Sequence, residues 1–177
     1  MSILKVARMG HPVLRAKARV VERGDIKTPR VQQLIDDLLD TMAEYHGVGL
    51  AAPQVHEGLR IFVAALDAGE DGEQQAEPHV IINPEISIVG SDTVEDWEGC
   101  LSIPDVRGRV PRPREIKVRA LDRHGERLQL TAHDFAARVI QHETDHLDGI
   151  LFFDRMRSFE SLTFLDEYSR YWTKDKD

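Results

Sequence analysis

Between positions 29 and 46 the apolar residues Val31, Leu34, Ile35, Leu38, Leu39 and Met42 recur at steps of three and four, with polar residues between them. This spacing predicts an amphipathic helix, which Gly47 and Gly49 end. At 60–66 and 79–83 the pattern changes to compact apolar runs, among them Ile61-Phe62-Val63 and Val80-Ile81-Ile82, which read as strands. The acidic, glycine-containing stretch 67–77 between them reads as a solvated loop. Two further strands are expected at 115–121 and 127–131, joined as an antiparallel pair through Asp122-Arg123-His124-Gly125, where glycine suits a tight turn. Helical spacing returns at 134–147 with Phe135, Val139, Ile140 and Leu147, and Gly149 stands at the expected stop. Pro12 suits the opening of a short helical turn. An amphipathic segment around 159–171 leads into a charged tail, 174–177, expected to fray. Together these elements predict an α+β fold: short antiparallel strands packed around a central helix, with an N-terminal amphipathic helix and a C-terminal helical segment.

Length and composition make this one domain, residues 1–177, with 41% hydrophobic and 31% charged residues. The net charge of −8 opposes phosphate backbones and excludes a general nucleic-acid binder. The basic stretch 107–114 departs from that balance. It reads as a solvated loop ahead of a strand, or else one of its arginines holds a substrate carbonyl or a neighbouring carboxylate. A single cysteine, Cys100, leaves no intrachain disulfide and fits a reducing interior. Residues 1–8 lack the apolar core of a signal peptide, no apolar run approaches the roughly 18 residues of a membrane span, and no Arg-rich leader is present. A cytoplasmic protein, of bacterial type, without membrane contact is expected.

Chemistry enters with His142-Glu143-Thr144-Asp145-His146. Residues four apart share one helix face, so the two imidazoles can grip one divalent ion while Glu143 sits beside it. A carboxylate there can take a proton from a metal-bound water, whose pKa falls from about 15.7 to about 7. The pentad alone could be a charged helix face, but Val139, Ile140 and Leu147 argue for partial burial, where imidazoles need partners.

The third ligand is open at this stage. One zinc-protease pattern uses a glycine and then a third His, and here Gly149 is present but Phe152 occupies the ligand position. A second pattern takes a Glu from a later helix, for which Glu160 and Glu167 are available. The competitor is Cys100, in Glu98-Gly99-Cys100-Leu101-Ser102-Ile103-Pro104, where Gly99 permits close backbone approach and Pro104 stiffens the loop. The stretch Gly47-Val48-Gly49-Leu50-Ala51-Ala52-Pro53-Gln54 superficially matches a dinucleotide fingerprint. Its context is wrong for that, because a helix precedes it and strand-like residues follow. It reads as a close-approach loop whose Gln54 either donates to developing negative charge on an attacked carbonyl or is a surface residue in a turn.

These segments, 47–54, 98–102 and 141–147, resemble in order the Gly-x-Gly-Leu-Ala-Ala-x-Gln loop, Glu-Gly-Cys-Leu-Ser loop and Gln-His-Glu-x-Asp-His-Leu helix of the peptide deformylases. The similarity runs from His11-Pro12-Val13-Leu14-Arg15 through Asn83-Pro84-Glu85-Ile86 to Gly149. Beyond about residue 154 the chain lacks a clear match to the longer C-terminal helices of some members. The resemblance implies that Cys100, His142 and His146 bind the metal and that Glu143 is general base and acid. It implies that Gln54 and the backbone N–H of Leu101 stabilise the oxyanion, and that Gly49 pairs with substrate backbone. Arg107 falls where the family places a substrate-contacting arginine, and Val48, Phe135 and Val139 are candidate walls for a methionine side chain. Arg138 stands where some members carry an apolar residue.

The implied reaction releases formate from N-formylmethionyl nascent peptides, with transient ribosome association. Ligand preference alone reads the Cys-His-His set as zinc, whereas the resemblance implies Fe2+, with Zn2+, Ni2+ or Co2+ as possible substitutes. Two alternatives accompany this expectation: a zinc metallopeptidase with Glu160 or Glu167 as third ligand, and a non-enzymatic module whose structural metal is closed by a fourth ligand such as His133.

Overall fold

The structure is a computed structural model that describes residues 2–66 and 78–173. The expected loop at 67–77 and the tail at 174–177 lie outside the described residues. Pro29 opens α1 (Pro29–Glu44), since its missing N–H falls where a helix has no acceptor to offer. The helix buries Val31, Ile35, Leu38 and Met42. It stops two residues earlier than its spacing suggests because His46 takes a left-handed φ of 53° and turns the chain towards β1 (Gly49–Ala51). Thus the stretch read as a close-approach loop contains a short strand, and Gln54 ends up in a buried 3-10 turn rather than at the surface.

All strand pairs are antiparallel, in the order β1, β2 (Ile61–Ala64), β3 (His79–Cys100), β4 (Ile103–Leu121) and β5 (Arg127–His133), with β6 (Thr163–Phe164) on β4 at Val106 and Arg107. The α+β expectation holds, but β3 and β4 are 22 and 19 residues long rather than short. Their polar middle hides them from apolar periodicity, and Pro84, Pro111 and Pro113 lower any strand reading. Register shifts after Ile82, Val89 and Glu98 absorb the irregularities.

This corrects the reading of 107–114 as a solvated loop and agrees with the other one, that an arginine there holds a neighbouring carboxylate, since Arg112 bonds to Glu98 and Asp145. The segment lies inside β4, where Gly108, Val110 and Arg112 face inward on alternate positions. The β4–β5 turn matches expectation: Gly125 adopts a φ of 76°, and Asp122 Oδ1 accepts from the His124 and Glu126 N–H groups.

Helix α2 (Asp134–Leu147) packs Ala137, Val139, Ile140 and Leu147 against Phe62, Ile81, Ile116 and Val118 of the sheet. Gly149 ends it at a φ of +72°, and a Cβ there would lie 2.6 Å from the carbonyl oxygen of Arg15, so no other residue fits. The expected helix at 159–171 is reduced to β6 and the seven-residue α3 (Leu165–Tyr171), which buries no side chain completely. Pairing of Thr163 and Phe164 with β4 holds that stretch extended. No described helix is long and apolar enough to cross a membrane.

Candidate metal centre

Two elements meet at the site. Helix α2 sets His142 and His146 one turn apart, with ring centroids 4.9 Å from each other. Opposite them, the β3–β4 hairpin carries Cys100 at the end of β3, so the expected loop is a strand terminus closed by a tight turn. Gly99 leaves room for the Arg107 guanidinium, which a Cβ would displace, since it would lie 2.8 Å from Nε with Nη1 nearer still. Cys100 Sγ lies 3.2 Å from His146 Nε2, and ligand atoms of Cys100, His142 and His146 fall within 4.8 Å of one another.

Among the described residues, no other group of three or more potential ligands converges in this way. Glu160 is exposed, Glu167 pairs with Arg170 at 3.2 Å, and His133 is exposed beside Glu115 at 3.8 Å. None joins the centre, so neither the zinc-peptidase ligand set nor the four-ligand structural site forms. Phe152 is buried, its ring stacked 6.4 Å from that of His142.

The donor set is suited to a cation. Burial opposes ionisation of Cys100, yet His146 and His142 outweigh it and hold the thiol well below its ordinary range. Burial likewise opposes a charged His142 ring, but Cys100 and Glu98 hold its pKa well above that of a free imidazole. A thiolate between imidazoles, buried and sharing protons, marks a point where positive charge is favoured, and a divalent ion fits it. His142 Nδ1 faces Glu98 Oε2 at 2.9 Å, which leaves Nε2 as the ligand atom.

Glu143 lies beside this set. Burial, only partly offset by His142 and His146, pushes its carboxyl up to about 7. Its Oε2 is buried without a hydrogen-bond partner among the described residues. Such an orphan acceptor beside an ion site is poised for a ligand proton. Gln54, itself buried, accepts from the Ala51 N–H through Oε1, and its Nε2 lies 3.2 Å from Ser102 Oγ and 3.6 Å from Cys100 Sγ. One amide donor is thereby held at the edge of the centre.

A cavity of about 880 Å³ opens over these groups. Val48, Gly49, Arg107, Phe135 and Val139 all line it, and Leu101 stands at the hairpin tip next to Cys100. Trp97, Arg138 and Leu165 also line it. Trp97 is braced edge-on by Tyr168 at 4.9 Å, so the C-terminal helix supports this wall.

A charged network lies beneath the ligands, and in it Arg112 is the arginine of 107–114 that holds neighbouring carboxylates. Glu98 is buried, and although burial raises its pKa, His142 and Arg112 hold it well below the usual carboxylate range. Arg112 binds it through Nε at 2.9 Å and Nη2 at 3.0 Å, while its Nη1 lies 2.6 Å from Asp145 Oδ2. Arg155 completes Asp145 at 2.7 Å. Asp145 sits within the pentad, three residues after His142, and Arg112 at an inward position of β4. The basic stretch signalled an arginine on a carboxylate, but the strand had to be recognised for Arg112 to be picked out.

An antiparallel sheet wrapped on a helix that bears two imidazoles and a carboxylate, with a thiolate facing them, has the layout of a metal-dependent amide hydrolase. The chain belongs to the polypeptide deformylase family, whose model matches residues 3–161. It is 43% identical to peptide deformylase 2 of Nostoc sp. over 98% of this chain and 97% of that one. It is 46% identical to the peptide deformylase of Heliobacterium modesticaldum over 89% and 97%. A class I type b peptide deformylase from Acinetobacter baumannii, solved with Met-Ala-Ser bound, superposes with a TM-score of 0.82 at 38% identity, covering 88% of this chain and 99% of the other. The chain is accordingly an enzyme, one that removes the N-formyl group from nascent peptides.

Proposed function

We propose that the chain performs this deformylation at formyl-methionine through an ion held by Cys100, His142 and His146, and that residues 1–177 act as one catalytic domain. The observation that carries the reading is the orphan carboxylate oxygen of Glu143 beside three convergent ligand atoms at the floor of the cavity. A divalent ion bound there supplies a Lewis acid and lowers the pKa of a water into the neutral range. Glu143 takes the proton of the attacking water at its free Oε2 and delivers it to the nitrogen of the breaking C–N bond, so that formate and a free amine leave. The Gln54 Nε2–H and the Leu101 backbone N–H donate to the oxygen that becomes negative at the formyl carbon.

Substrate is held by the surroundings. β1 ends the sheet, and Gly49 opens it at the cavity, so an extended peptide can add alongside. Val48, Phe135 and Val139 supply apolar contact for the methionine side chain, and Arg107 contacts the peptide beyond it. Ferrous iron is the metal, with Zn2+, Ni2+ or Co2+ as substitutes, and the setting is the cytoplasm, in transient contact with the ribosome from which such chains emerge.

The test is formate release from formyl-Met-Ala-Ser by protein purified without oxygen, with metal content measured on the same sample. Iron in the sample and activity lost in air are the expected results. Full activity with zinc alone overturns the assignment of iron, and a metal-loaded protein that releases no formate overturns the function.

A further inference from the structure

The Glu98 carboxylate has two oxygens, and each meets two nitrogen groups. Oε1 accepts from Arg112 Nε at 2.9 Å and from Arg138 Nη1 at 2.8 Å. Oε2 accepts from Arg112 Nη2 at 3.0 Å and faces His142 Nδ1 at 2.9 Å. All the lone-pair positions of a carboxylate are then engaged, and its plane is fixed. Arg112 is shared with Asp145, so it does not hold Glu98 alone.

Arg138 approaches from α2, one helical turn before His142 and on the same face. Its Nη1 also donates to Val110 O at 2.8 Å and its Nη2 to Val94 O at 2.8 Å. One guanidinium therefore joins the helix that carries both imidazoles to both arms of the hairpin that carries the thiolate. It is buried, and every acceptor around it is a carboxylate or a carbonyl. The planar fork of arginine spreads its donors over acceptors on both arms, including Asp96 O at 3.4 Å, whereas the donors of a lysine ammonium all sit on one atom.

We propose that Arg138 is a positioning residue for the metal centre: it locks Glu98 against His142 Nδ1 and so aims His142 Nε2 at the point shared with Cys100 and His146. The inference rests on the ligand set proposed above. Loss of partners that orient a ligating histidine typically costs about 10–100-fold in metal affinity. The competing role, that of a wall residue chosen for the substrate side chain, acts on KM and leaves the empty protein's metal affinity untouched.

The experiment is titration of metal-free wild type, R138M and R138K with Co2+, followed by the visible absorption of the cobalt–thiolate centre, alongside thermal melts of the metal-free proteins. Cobalt affinity at least tenfold weaker in R138M, with a shifted ligand-field band and partial recovery in R138K, supports the role. Affinity within twofold of wild type in a folded R138M, or a change confined to KM for the peptide, overturns it. Should R138M not fold, R138K decides by the same measure: tenfold weakening supports, twofold or less overturns. A wild-type chain that takes up no cobalt overturns the centre itself, an outcome distinct from failure of Arg138 alone.

Discussion

Gly49→Ala tests how closely the base is packed. A methyl group at this position would lie 2.8 Å from Glu143 Cδ and 2.9 Å from Cγ, with Oε1 closer still. Ordinary contact between carbon atoms is about 3.5–4.0 Å, so the side chain of Glu143 must retreat by roughly 0.7 Å. Gly49 cannot move instead, because it is paired with Ala64 and followed by the buried Leu50 and Ala51. Overpacking costs about 1–3 kcal/mol, and a carboxylate at the end of a flexible chain places this case near the lower end. That is roughly 2–4 °C in Tm for a domain of this size. Activity suffers far more, since an error of about 1 Å in a reacting group costs on the order of 100-fold. Formate release, metal analysis and thermal melts on one preparation should show kcat/KM down about 100-fold, full metal content and a Tm only slightly lowered. A kcat/KM within threefold of wild type would refute the idea that the Gly49 backbone sets the position of Glu143.

Gln54→Ala removes one donor at the oxyanion and should lower kcat by about 100–1,000-fold with little change in KM; a drop confined to KM argues that Gln54 only binds substrate. Arg112→Met removes the cation shared by Glu98 and Asp145, which keep Arg138 and Arg155, and should cost near the lower end of about 3–5 kcal/mol in urea unfolding, against which a loss under 1 kcal/mol would count. Glu143, pushed up to about 7 by burial, must be ionised to accept a proton. kcat/KM should therefore fall tenfold per pH unit on the acid side of its pKa, which a bound cation lowers, and Glu143→Gln should abolish that limb along with most of the activity. An unchanged acid limb in the residual activity of Glu143→Gln assigns the titration elsewhere.

The elements that local spacing describes were legible. Val31, Ile35, Leu38 and Met42 announce α1, and His142 with His146 four apart announces a ligand pair, because both patterns are complete within a few turns. Cys100 needed its neighbours to stand out. Of the long hairpin only the outer ends, 79–83 and 115–121, were legible, since between them β3 and β4 are held by backbone pairing across polar residues whose side chains carry no periodic apolar signal. Without that hairpin nothing separates Arg112 from the other arginines of 107–114, although its depth is set by the alternation of β4. Glu98 could be noticed beside Cys100, but its four nitrogen neighbours come from β4 and α2 and only tertiary contact brings them to it. Glu160, Glu167 and His133 remained open as ligands because composition permits them, and distance alone dismisses them.

β1 closes one end of the sheet, three residues long and lying at the cavity. A terminal strand can pair only with backbone that has no partner of its own. A chain end already built into a folded protein has none to offer, whereas one just synthesised has. If substrate adds to β1 as proposed, deformylation runs against the clock of the client's own folding: slow-folding chains would leave their first residues accessible for long, and proteins that tuck in their N-terminus early would leave only a brief interval for the reaction.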